Sequence, residues 1–171
     1  MSTRQRRIIS ILLQNEVGAL TRVAGLFATR GYNIESLNVA ATDDPTVSRI
    51  TLVTTGTEQV IQQIVNQSLK LVDVVNVDDM TADAHIEREL LLIKLKVSPT
   101  QLDALRKSIA DSNARVLADD PASFTIELTD SEANVTRFIA AAGKFGDVME
   151  VVRSGALAVY TGGMTLESMS N

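Results

Sequence analysis

The chain has no cysteine, which removes disulfide bonds, thiolate nucleophiles and cysteine-liganded metals from consideration. Histidine is nearly absent as well. His85 is the only one, so no multi-histidine metal site can be assembled within one chain, and any hydrolytic triad would have to run through that residue. Tryptophan is missing and aromatic residues make up only 4%, so the core has to be built from Val, Ile, Leu and Ala. No apolar run approaches the ~20 residues of a membrane span, and residues 1–15 carry charge where a secretory leader would be apolar. The expected compartment is therefore the cytoplasm. Positive charge is in deficit, with 16 Lys and Arg against 21 Asp and Glu, which argues against nucleic acid or an anionic membrane as the main partner. The one basic run, Arg4, Arg6 and Arg7, reads as the solvated flank of a strand.

A length of 171 residues, 45% of them hydrophobic, gives room for one ordinary domain or two small ones. The nearly continuous apolar run over 7–13 predicts a buried strand. Leu20, Val23, Ala24 and Phe27 recur at helical spacing and predict a helix over 18–30, with Gly31 placed to end it. A second strand is expected over 34–41, then a turn at Thr42-Asp43-Asp44-Pro45. Residues 47–55 alternate, with Ser48, Ile50 and Leu52 on one face and Arg49, Thr51 and Val53 on the other, the pattern of a half-buried strand. Thr57 is the expected N-cap of a second helix with the stripe Val60, Ile61, Ile64, Val65, and 71–77 is a fourth strand with room for a bulge.

The same order then recurs. Strands are expected over 91–97, 115–118, 124–129 and 148–152. One helix starts at Ser98-Pro99-Thr100-Gln101 with the stripe Leu102, Leu105, Ile109, and another carries Val135, Phe138, Ile139 and Ala142. Residues 78–88 lack periodicity. The predicted fold class is α+β, with two ferredoxin-like βαββαβ domains in tandem over 1–79 and 88–171, a linker at 80–87, and a tail beyond Gly155 that frays. The acidic pairs Asp43-Asp44, Asp78-Asp79 and Asp119-Asp120 read as solvated turn or linker residues rather than metal ligands.

The stretch Asn15-Glu16-Val17-Gly18-Ala19-Leu20-Thr21-Arg22-Val23 joins a strand to a helix with no long loop between them. Unpaired N–H groups and the partial positive charge of a helix start can hold a carboxylate there, and Gly18 lets it approach. On spacing alone, the simpler reading is a turn glycine at 18 and an ordinary post-helical Asn at 33.

Residues 6–79 resemble an ACT domain, with Asn15-Glu16-Val17-Gly18-Ala19-Leu20 matching its ligand loop. Further matches follow in order: Arg30-Gly31-Tyr32-Asn33-Ile34-Glu35-Ser36-Leu37, Thr42-Asp43-Asp44-Pro45, Ser48-Arg49, Lys70-Leu71-Val72-Asp73-Val74, Glu87-Arg88-Glu89-Leu90 and Val151-Val152-Arg153-Ser154-Gly155. Together they are similar to the small regulatory subunits of acetohydroxyacid synthase (acetolactate synthase), over roughly 4–160. The resemblance implies a chain without its own active site that binds the large catalytic subunit, raises its activity and confers feedback inhibition by valine. Thiamine diphosphate, Mg and FAD would belong to the large subunit. The resemblance also implies a homodimer of side-by-side ACT domains, with the effector between Asn15, Gly18, Ala19 and Leu20 on one side and Asn33 and Ile34 on the other. Val17, Leu20 and Ile34 would form the aliphatic pocket. A free-standing amino-acid sensor acting on another partner shares that site. An RNA-recognition module would need stacking aromatics on strands 7–13 and 46–55, which have none, and no nucleophile–base pair supports an independent enzyme.

Overall fold

The computed structural model describes residues 3–166, which form two compact units. In the first, β1 (Gln5–Gln14) is buried from Ile8 to Leu13 and lies between β3 (Val47–Gly56) and β4 (Val74–Asp79), with β2 (Ser36–Ala41) at the far edge of β3. All pairings are antiparallel, with Ile9 opposite Leu52, Ile11 opposite Ile50 and Leu37 opposite Leu52. The bulge allowed by the sequence is present, since Leu12 pairs with Asn76 but Leu13 with Val74, leaving Val75 extra. Helices α1 (Ala19–Arg30) and α2 (Glu58–Ser68) cover the face bearing Ile9, Ile11, Ile50 and Leu52, with Val23, Phe27, Ile61 and Ile64 packed into one cluster. Thr57 caps α2 by accepting from the Val60 N–H at 3.4 Å.

The second unit repeats the plan. β5 (His85–Val97) is central, flanked by β7 (Phe124–Asp130) and β8 (Gly146–Arg153), with β6 (Arg115–Ala118) beyond β7. Helices α3 (Leu102–Asp111) and α4 (Glu132–Ala142) bury Leu105, Ile109, Val135 and Phe138 against Leu91, Ile93, Phe124 and Ile126. Glycine is required at the start of β8, where a Cβ on Gly146 would come within 2.3 Å of the Lys96 carbonyl oxygen. Two of the quoted motifs meet here. Arg153 grips the buried Glu89 carboxylate with two bonds of 2.8 Å, and Ser154 Oγ accepts from the Leu90 N–H at 2.9 Å.

Five expectations need correction. The linker at 80–87 is not one. Met80–Ala82 is a single 3₁₀ turn with Met80 fully buried, and β5 begins at His85 and runs on into the second unit. The second domain does not extend to 171, because it ends at Gly155 and residues 156–166 belong to the first unit. There they form β9 (Leu157–Tyr160), which pairs with β5, so the segment to 166 is ordered rather than frayed; residues 167–171 lie outside the described residues. β3 is consequently not half-buried, since Thr51 and Val53 are covered as fully as Ile50 and Leu52. Finally, Ser98 makes no side-chain cap to the backbone. Pro99–Gln101 forms a 3₁₀ turn before α3, and the Ser98 hydroxyl meets that of Thr100 at 3.0 Å.

Candidate small-molecule site

The loop from β1 to α1 is fixed by backbone bonds at both ends. The Asn15 N–H donates to the Thr46 carbonyl at 2.7 Å and the Arg22 N–H to the Gly18 carbonyl at 3.0 Å. Gly18 takes φ 87°, the left-handed conformation that favours glycine. Asn15 is a loop-fixing residue, since its Nδ2 donates to the Pro45 carbonyl at 3.2 Å and ties the loop to the turn after β2. That turn is itself stiffened by Asp44, whose Oδ1 accepts from the Thr46 N–H at 2.8 Å and hydroxyl at 2.7 Å, bonds that hold its carboxyl below the usual carboxylate range.

The donor set differs from the expectation at one atom. The Ala19 N–H is engaged with the Glu16 carbonyl at 3.1 Å, and Ala19 itself is buried. The N–H groups of Val17, Gly18, Leu20 and Thr21 have no backbone acceptor among the described residues, so they remain available as donors. Leu20, expected in the buried stripe of α1, is 41% exposed, because Ala19, Val23 and Phe27 take the core positions instead. Val17 is 98% exposed. Both are free to line a ligand.

Arg22, for which the sequence alone suggests no role, lies against the loop. Its Nη2 lies 3.4 Å from the Val17 carbonyl, and its Nη1 lies 3.0 Å from where a Cβ on Gly18 would stand. Its Nε donates to Asp73 from the segment before β4. The hydrogen bond from Arg22 holds the Asp73 carboxyl below its ordinary range, and Asp73 raises the guanidinium in turn. A fixed positive charge thus lies directly beneath the loop. The available signal was the i, i+4 spacing from Gly18 to Arg22, which places both on one side of the first helical turn.

Asn33 and Ile34 lie beyond the other end of α1, a helix of 12 residues and so about 18 Å long. One protomer therefore does not bring them to the loop. Ile34 is half-buried and packs into its own core, while the exposed Asn33 lines a pocket of about 290 Å³ with Arg4, Arg30, Tyr32 and Thr54. The Asn33 carbonyl accepts from Thr54 Oγ1 at 2.6 Å, which fixes its backbone while its amide faces outward.

Two ferredoxin-like units in tandem, the first presenting a glycine-bearing helix start beside an arginine paired with Asp73, define a protein of the ACT-domain class. A family model described as the small-subunit-like ACT domain of acetohydroxyacid synthase matches residues 9–76, and one described as the small subunit of acetolactate synthase matches residues 88–162. The chain belongs to the acetolactate synthase small subunit family. It is 43% identical over 157 residues to the Escherichia coli acetolactate synthase isozyme 3 small subunit, covering 92% of this chain and 96% of that protein. It is 37% identical over 155 residues to the chloroplastic acetolactate synthase small subunit 2 of Arabidopsis thaliana, covering 91% of this chain but 32% of that longer protein. The crystal structure of the Thermotoga maritima small subunit superposes with a TM-score of 0.83 at 29% identity, covering 94% of this chain and 99% of that one.

Proposed function

We propose that this chain is the regulatory subunit of an acetolactate synthase. It binds the thiamine-diphosphate-dependent large subunit, raises its activity and transmits feedback inhibition by valine. The observation that carries this reading is end-to-end similarity to small subunits, spanning 92% of this chain and 96% of the Escherichia coli protein. Catalysis and its cofactors, thiamine diphosphate, Mg and FAD, then belong to the large subunit in the cytoplasm.

In this reading two chains pair through their first units so that the loop of one faces the Asn33 end of the other. The valine carboxylate sits on the N–H groups of Gly18, Leu20 and Thr21 above Arg22, and its ammonium meets the Asn33 side-chain oxygen. Each charge-assisted hydrogen bond contributes roughly 1.5–3 kcal/mol. Val17 and Leu20 supply apolar surface, where each methylene is worth about 0.8 kcal/mol, so valine is preferred clearly over alanine and only modestly over leucine or isoleucine. Valine alters the large subunit only by the difference in its affinity for two states of this dimer, typically about 1–3 kcal/mol or 5–150-fold.

The test is acetolactate production by the matching large subunit with and without this chain, across a valine titration. Stimulation that valine reverses is the expected result. No change in rate together with no physical association would refute the reading and favour a free-standing amino-acid sensor built on the same loop.

A further inference from the structure

The second unit holds a groove that the proposed function does not use. It opens between the end of α3 and the length of α4, encloses about 480 Å³, and has a floor of Leu128 and Phe138, both core residues. That volume falls within the usual range for small-molecule pockets, roughly 300–1,000 Å³.

Its rim carries charges in a fixed order from Asp130, the last residue of β7, along α4 to Arg137. Asp130 Oδ1 accepts from the Ser131 N–H at 2.6 Å and from Asn134 Nδ2 at 2.8 Å, which holds this carboxyl ionised. The Asn134 amide oxygen accepts in turn from Arg137 Nη2. One bonded row therefore runs from the carboxylate at the end of β7 to a guanidinium on α4. The row is unsaturated at both ends. Asp130 Oδ2 accepts no hydrogen bond among the described residues, and only Nη2 of Arg137 is engaged. Asp111, from the last turn of α3, adds a second carboxylate to the rim and makes no hydrogen bond or ion pair among the described residues.

The charge arrangement restricts what can bind. A simple anion would meet Arg137 but be opposed by Asp111 and by Asp130, whose charge Arg88 offsets in part, and an uncharged apolar molecule would cover the rim charges without pairing them. A molecule that carries a carboxylate and an ammonium side by side on one carbon, with a small apolar arm, satisfies every group. We infer that this groove is a second small-molecule site, separate from the loop before α1, which takes a zwitterionic α-amino acid with an aliphatic side chain: carboxylate on Arg137, ammonium between Asp130 and Asp111, side chain over Phe138. The inference stands on the groove itself and does not depend on the role of the chain as a regulatory subunit.

The test uses the full chain carrying Gly18→Asp, which closes the loop site, and follows backbone amide resonances during titration with L-valine, L-leucine and L-isoleucine. Saturable shifts at Asn113, Asn134 and Arg137 are expected with at least one of the three. Removing the ligand ammonium or carboxylate, as isovalerate or isobutylamine for valine, weakens binding about 10–100-fold, the equivalent of one charge-assisted hydrogen bond. Arg137→Glu abolishes the shifts. Asp111→Asn, an exposed change in the last turn of α3, weakens them and serves as the control if Arg137→Glu loses the dispersion of a folded spectrum. The inference is overturned if none of the three amino acids gives saturable shifts at these residues, or if folded Arg137→Glu and Asp111→Asn both bind as tightly as the parent.

Discussion

Arg49 Nη2 in β3 donates to the backbone carbonyl of Ala158 in β9 at 3.0 Å, and the same guanidinium donates from Nε to Ser10 Oγ in β1 at 2.8 Å. One side chain therefore joins two central strands to the last strand of the chain. Around it the segment 156–166 covers the face of the sheet away from the helices. Ala156, Ala158 and Tyr160 pack with Ile8, Val53 and Met80, Asn38 donates to the Ala156 carbonyl at 3.2 Å, and Tyr160 donates to Asp78.

Replacing Arg49 with Met keeps most of the volume but removes both donors. The Ser10 hydroxyl is fully buried, and hydrogen bonds to charged groups contribute about 1.5–3 kcal/mol. Arg49→Met is expected to destabilise the chain by about 2–4 kcal/mol in denaturant unfolding. A change below about 0.5 kcal/mol would show that the guanidinium does not hold the last strand.

Tyr160 gives the fold a sensitivity to alkali. Burial, reinforced by the bond to Asp78, pushes its phenol well above the ordinary value of 10.0. The folded state thus keeps the proton that the unfolded state releases near pH 10, and linkage makes stability full below that pH and lower as pH rises beyond it. Unfolding free energy should fall between pH 10 and 11.5 in the parent and fall less steeply in Tyr160→Phe, which at pH 7 is weaker by about 1 kcal/mol from the lost hydrogen bond. Parallel pH profiles for the two proteins would contradict this.

Gly18→Asp should leave stimulation of the large subunit intact and remove valine inhibition. Two effects combine, since the left-handed backbone resists a side chain, and an Asp whose Cβ stands 3.0 Å from Arg22 Nη1 brings a carboxylate that competes with the valine carboxylate. Gly18→Ala separates them, as it carries the backbone strain of about 1–2 kcal/mol without the charge. Valine inhibition titrations should rank parent, Gly18→Ala and Gly18→Asp in falling sensitivity. Full inhibition of Gly18→Asp would place the effector elsewhere.

The double βαββαβ order was legible because its signals are local. Ile9, Ile11 and Leu13 share a face, and the stripes of α1 to α4 recur within single helices. The covering of the outer sheet face was not legible. That face carries Ser10, Thr51 and Arg49, which in a strand pattern read as solvent-facing, and the residues that bury them arrive from more than 100 positions away. Ala156, Ala158 and Tyr160 alternate as a strand should, yet only the fold shows what they meet. The loop at Gly18 was legible as a helix start. Arg22 was not assigned because its value comes from Asp73, 51 residues on.

The return of 156–166 to the first unit changes how the second must be tested. A chain ending at Asp79 loses Met80 and the whole covering segment, so Ile8 and Val53 become exposed, and it should aggregate or unfold whatever the second unit does. The Thr161 N–H bonds the Ala84 carbonyl at 3.0 Å and β9 pairs with β5, so Ile86 and Ala156 are both held on the first unit. Excising 87–155 and rejoining these residues through a short glycine-containing turn should therefore give a folded protein with one cooperative transition. We expect this protein to bind valine by calorimetry and to fail to stimulate the large subunit, since we propose that the second unit makes the contact with the catalytic partner. Normal stimulation by the excised chain would move that contact to the first unit, and a molten or insoluble product would show that the first unit does not fold without the second.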